Sequence, residues 1–182
     1  MLIFLLTGNV FAAKNTKESE NKKFGDWILA CDKNVNSKKD VCLLKQQIIV
    51  TKEDKKQEIL AFYQIGYFGK DNIIRMMQIF PLSDIYIPIG TMIFTDATPS
   101  SKGQYAICAS SNCQALAEIL PSEIESMVSA KEVKLIIMNS AMQQVAYPLS
   151  VKGLKEGLAH LKKLGPIQME QIDVAPKSNV AK

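Results

Sequence analysis

Residues 58–80 read EILAFYQIGYFGKDNIIRMMQIF, and this stretch decides the fold class. It holds two runs dense in branched and aromatic side chains, Glu58 to Phe68 and Asn72 to Phe80, a composition that suits a pleated, half-buried strand. Between them, Gly69-Lys70-Asp71 supplies a hairpin connection.

The same texture extends in both directions. Upstream, Phe24-Gly25-Asp26-Trp27-Ile28-Leu29-Ala30-Cys31 reads as a turn entering a strand, and VCLLKQQIIV at Val41 to Val50 reads as a second strand. Asp32 to Asp40, with Asn34, Asn36 and Ser37, is the loop between them. Downstream, Pro81 and Pro88 interrupt the ladder, because proline has no amide proton to donate. Thr91 to Thr95 resumes as a strand, DATPSSKGQ follows as a turn-rich stretch, and Tyr105 to Cys108 forms another strand. Short strands punctuated by turns predict a mainly β protein with antiparallel sheets in a sandwich or barrel-like arrangement.

The C-terminal half adds two helices. Pro121-Ser122-Glu123-Ile124-Glu125 offers a serine cap and early acidic residues, so a short helix runs to about Ala130. Val133 to Met138 and Gln144 to Leu149 form a strand pair around Asn139-Ser140-Ala141. Ser150 then opens a capped segment in which Leu154, Leu158, Leu161 and Leu164 recur at helical spacing, and Gly165-Pro166 stops the C-terminal helix.

A chain of 182 residues suits one domain, and 47% apolar with 22% charged residues is a mix able to bury a core. The net charge of +4 rests on lysine, since Arg75 is the only arginine. Planar recognition of phosphate favours arginine, and Lys52, Lys55 and Lys56 alternate with Glu53, Asp54 and Glu58, which argues against a nucleic-acid partner. The opening MLIFLLTGNVFAA turns abruptly polar at Lys14. It reads as the end of a secretory signal peptide without the usual basic residues before it, cleaved after Ala12 behind the small Val10 and Ala12. The run is well short of the roughly 20 apolar residues of a transmembrane span. The expected organisation is a signal peptide over 1–12, a flexible polar leader over 13–23, one β-rich domain over 24–164, and a tail over 165–182. The expected location is the periplasm or the outside of the cell.

Cys31, Cys42, Cys108 and Cys113 all lie in the exported part, where an even count points to disulfides. Four cysteines allow three connectivities. The economical one joins Cys31 to Cys42 and Cys108 to Cys113. A metal or redox site needs closer thiol spacing with other ligands nearby, and His160 is the sole histidine, so no metal and no cofactor are expected.

Residues that invite a catalytic role each have a plainer account. One histidine beside an apolar helical stripe, with no nucleophile motif, makes a boundary imidazole rather than a triad base. Asp26 beside Gly25 orders a turn. Met76, Met77, Met92 and Met138 sit in strand patterns and fill core gaps. Trp27 anchors the core near the first cysteine pair.

Taken together, the run Phe24-Gly25-Asp26-Trp27 with Cys31 after it, Cys42, the prolines of PLSDIYIPIG, the Cys108 to Cys113 pair, and Leu149-Ser150 with Gly153-Leu154 resemble the invasion-associated locus B family. The likeness covers about residues 24 to 163. Asn112 stands where that family commonly has glycine, and Leu154 where it commonly has phenylalanine. The resemblance implies a small, secreted or periplasmic, β-rich protein of Gram-negative bacteria, linked in some pathogens to virulence through invasion of host cells. It implies no catalytic residues. The expected function is non-enzymatic binding of a protein or other macromolecule of the envelope or host. Two other classes stay open. One is a periplasmic enzyme inhibitor, whose target would not be basic given the charge of this chain. The other is a hydrolase, which needs a pocket of converging polar groups. The expected contact region is Pro81 to Phe94, where Ile85, Tyr86, Ile87, Ile89 and Met92 accompany two ladder-breaking prolines.

Overall fold

A computed structural model of the protein describes residues 22–33, 40–51, 55–80, 85–109 and 111–168. The expected signal peptide, most of the leader, Pro81 and most of the tail lie outside the described residues. Ten strands follow one another: β1 (Lys23–Phe24), β2 (Trp27–Lys33), β3 (Asp40–Thr51), β4 (Gln57–Phe68), β5 (Ile73–Phe80), β6 (Thr91–Thr95), β7 (Thr98–Cys108), β8 (Cys113–Ile119), β9 (Val133–Met138) and β10 (Gln144–Pro148). Helix α1 (Pro121–Ser129) separates β8 from β9, α2 (Leu154–Leu164) follows β10, and a 3-10 turn covers Ile87–Ile89.

The strands make a single antiparallel sheet in the order β1-β2-β3-β4-β5-β8-β7-β6-β9-β10. The fold is thus mainly β with two helices, and its barrel-like character comes from one open sheet that curls without closing. Phe80 of β5 and Tyr147 of edge strand β10 bring their ring centroids to 5.4 Å although four strands separate them along the ladder. Alternation does the rest: Trp27, Leu29, Leu44, Ala61, Tyr63, Ile65, Ile74, Met76, Ile93, Leu135 and Ile137 all face one interior. Helix α2 adds Leu154, Leu158 and Leu161 to it, whereas Leu164 is exposed. The small Gly157 lets Leu44 approach, since a Cβ there would sit 2.6 Å from the leucine Cδ1.

Three local expectations change. The stretch DATPSSKGQ is not a loop, because only Asp96 and Ala97 turn and β7 begins at Thr98. Pro99 is tolerated there because it pairs with Phe94 of β6 alone; β8 joins β7 only from Gly103 onward. The α1 cap is not Ser122. Pro121 takes the first helical position, and the Glu123 carboxylate accepts the Leu120 N–H at 2.6 Å, moving the boundary back by two residues. The last helix starts at Leu154 rather than near Ser150, and Ser150 serves another purpose described below. At the C-terminal end, Ile167 donates its N–H to Tyr67 O at 2.8 Å and accepts from Gly69 N–H at 2.9 Å, so the first residues beyond α2 are tied to β4.

Both cysteine pairs bond as the loop lengths suggest, Cys31 to Cys42 and Cys108 to Cys113. In each pair the partners lie directly opposite on neighbouring antiparallel strands. Sequence separations of 11 and 5 lead us to expect that removing the first bridge costs about 3 kcal/mol and the second about 2 kcal/mol in the chain-entropy treatment. Urea melts of the double-alanine variants measure both, and non-reducing peptide mapping of the oxidised protein should recover these two pairs and no crossed ones.

Candidate functional site

The curled sheet is fastened where its two ends meet. Segment 149–153, between β10 and α2, lies against the β1–β2 turn. The Ser150 carbonyl accepts the Trp27 indole N–H at 2.8 Å and a Gln46 amide N–H at 3.1 Å, while the Ser150 N–H donates to Gln46 Oε1 at 3.0 Å. The Ser150 hydroxyl donates to Asp26 Oδ2 at 2.7 Å, and the Asp26 N–H donates to Lys152 O at 3.0 Å. The Gln46 side chain thereby does for Ser150 what the backbone of a neighbouring strand would do, which is why no eleventh strand is needed at the seam. Two glycines make the approach possible. A Cβ on Gly25 would lie 2.3 Å from Lys152 O, and one on Gly153 would lie 2.2 Å from Phe24 O. Asp26, Trp27, Ser150 and Gly153 are thus structural. Gln46, the fifth member, carried one signal in the sequence, a polar residue at an inward position between Leu44 and Ile48.

Inside the curl, one inward row runs Gln46, Tyr63, Gln78, Ala115, Tyr105 across five neighbouring strands. Thr91 donates to Gln78 Oε1 at 2.6 Å. Burial first, and then the nearby Tyr147, push the Tyr63 hydroxyl far above the ordinary tyrosine range and the Tyr105 hydroxyl up to about 12. Both therefore stay protonated at neutral pH, and both hydroxyls are buried without a hydrogen-bond partner among the described residues.

At the surface, an open cleft of about 690 Å³ is bounded by the Cys31–Cys42 bridge, Leu29, Asp40, His160 and the 164–168 segment. His160 lies with its ring centroid 5.3 Å from that of Phe24. Among the described residues, no serine, threonine or free thiol lines this cleft, and no group of three or more potential ligands could hold a metal.

The expected contact region divides. Ile85 is 9% exposed and belongs to the core, so it drops out as a surface contact. Tyr86 is half-buried and donates its N–H to Met138 O at 2.8 Å, tying the segment to the end of β9. Ile87 and Ile89 stand out at 50% and 43% exposure on the 3-10 turn. Gly90 closes that turn at φ 76°, donating to Ile87 O at 3.1 Å, so two isoleucines are held outward by a fixed backbone. Met92 is half-buried within β6. Physically, a 3-10 turn gives the alternation rule nothing to act on, because alternation separates inward from outward only where the chain is extended.

A model of the Invasion associated locus B (IalB) protein family matches residues 27–162. The chain belongs to the IalB family. Among solved structures, the crystal structure of invasion associated protein b from Bartonella henselae matches with a TM-score of 0.63 at 14% identity, covering 79% of this chain and 95% of that one. At that identity the likeness establishes a shared fold. No curated protein matches the chain. The IalB match runs from Trp27 to near the end of α2, and so takes in Trp27, Gln46 and Ser150 of the seam, both disulfides and the Ile87–Ile89 turn. No helix among the described residues is long and apolar enough to cross a membrane.

Proposed function

We propose that this IalB-family protein is exported, has no catalytic activity, and acts by binding a macromolecule of the bacterial envelope or the host-cell surface, contributing to host-cell invasion. The observation that carries the reading is the pair of outward isoleucines, Ile87 and Ile89, on a turn whose backbone is pinned at Tyr86 and Gly90. Exposed apolar side chains cost solubility, and on a rigid support they present a contact without an ordering penalty. Family membership and the structural likeness to an invasion associated protein favour an adhesive or accessory role. The apolar N-terminal run and the two disulfides favour an oxidising compartment.

The experiment is to quantify binding of labelled mature protein to host cells and to isolated envelopes, comparing wild type with Ile87→Asp/Ile89→Asp. Binding is expected to fall at least about tenfold, the scale of losing an interface anchor, with Tm unchanged because neither side chain is in the core. Unchanged binding would remove this turn from the interface. Turnover of a broad hydrolase substrate panel that tracks with the purified protein would overturn the non-enzymatic reading.

A further inference from the structure

Edge strand β10 differs from the opposite edge of the sheet. Asn139 N–H donates to Gln143 O at 3.0 Å, and Leu149 N–H donates to Val133 O at 3.0 Å. The pairs Val145 with Ile137 and Tyr147 with Leu135 fall between these two. With a period of two, the odd-numbered residues of β10 bond to β9, and the N–H and C=O groups of Gln144, Ala146, Pro148 and Ser150 point to the free edge. The groups of Ser150 are taken by Trp27 and Gln46, and Pro148 has no N–H. Gln144 and Ala146 therefore keep four outward backbone groups with no hydrogen-bond partner among the described residues.

Edges of this kind are ordinarily protected by charge. The other edge follows that rule, since Lys22, Lys23, Asp32 and Lys33 flank or lie in β1 and β2. From Asn139 to Val151 there is no charged residue at all.

We propose that two copies of this chain associate edge to edge through β10, antiparallel, about a two-fold axis beside Val145. A row of alternating donors and acceptors at ladder spacing is complementary to another extended backbone, and this one is complementary to itself. The operation sets Gln144 opposite the partner's Ala146 and Ala146 opposite the partner's Gln144, forming four N–H to C=O bonds. No charged residue lies in the paired stretch, so no like charges meet. The sheet continues across the axis, which makes this an isologous contact that closes at two copies.

Sedimentation equilibrium of the oxidised protein over micromolar to millimolar concentrations tests this. Wild type should show a monomer–dimer equilibrium. Ala146→Pro removes one donor from each copy, two of the four bonds, and should raise the dimer Kd about 30-fold. Gln144→Lys/Ala146→Lys places lysines opposite each other across the axis and should abolish association at low salt. Both positions are exposed, so the lysine variant keeps its fold and decides the question even if Ala146→Pro does not fold; circular dichroism and Tm check each. A wild-type chain that stays monomeric throughout, or a dimer that the lysine variant leaves intact, overturns the proposal.

Discussion

Trp27→Ala is expected to destabilise the domain by about 3–5 kcal/mol, the usual range for emptying a large aromatic site from a core. The ring is 0% exposed, and its indole N–H supplies one of the bonds that hold Ser150. Two losses combine in this variant. One is the cavity, and the other is the Ser150 carbonyl left with a single remaining donor from Gln46. Denaturant melts followed by far-UV circular dichroism read the effect. A loss near zero would mean that the indole is not packed as described. Trp27→Phe largely separates the two contributions, because it removes the donor while an aromatic ring still fills most of the site; it should cost about 1–2 kcal/mol.

Gly153→Ala should be among the most damaging single-methyl changes at the described residues, at about 3 kcal/mol or more. The residue has φ +82°, and an added Cβ would sit 2.2 Å from Phe24 O and 2.6 Å from Gly25 N, against the Phe24–Gly25 peptide itself with no flexible side chain to yield. The left-handed conformation alone costs a non-glycine residue about 1–2 kcal/mol. The remainder comes from forcing the 149–153 segment away from the β1–β2 turn and stretching the Asp26 and Ser150 bonds. Gly69→Ala is the matched control, since φ is +68° but nothing lies within 4 Å of the added Cβ. Equal losses in the two variants would show that the seam is loose. A Trp27→Ala/Gly153→Ala double variant should lose less than the sum of the singles, because both changes open the same contact.

These variants act on residues whose importance was only half visible beforehand. Phe24-Gly25-Asp26-Trp27 and Leu149-Ser150 with Gly153-Leu154 stood out as motifs. Their joint purpose did not, because Trp27 and Ser150 are 123 residues apart and Gln46 and Ser150 are 104 apart. The same holds for the contact region. Ile85, Tyr86, Ile87 and Ile89 look alike as a branched and aromatic run, yet one is core, one is half-buried and two are exposed.

By itself, the sequence determined most of the strands, the presence of two helices and the economical cysteine pairing, but it left Cys113–Ile119 unread as a strand and took the start of β7 for a turn. Strand alternation, helical spacing and short-loop closure are all local, set by residues within a dozen positions of one another. It also identified the family, through motifs that survive without knowledge of their contacts. Tertiary structure decided how the strands are ordered, with β8 beside β5 and β6 beside β9, and that a single sheet curls and is fastened by side chains instead of closing through a ladder. It decided which isoleucines reach solvent and which edge keeps free amides. Those outcomes depend on register between distant strands, and register comes from the balance of many weak inward contacts that no short stretch of chain contains.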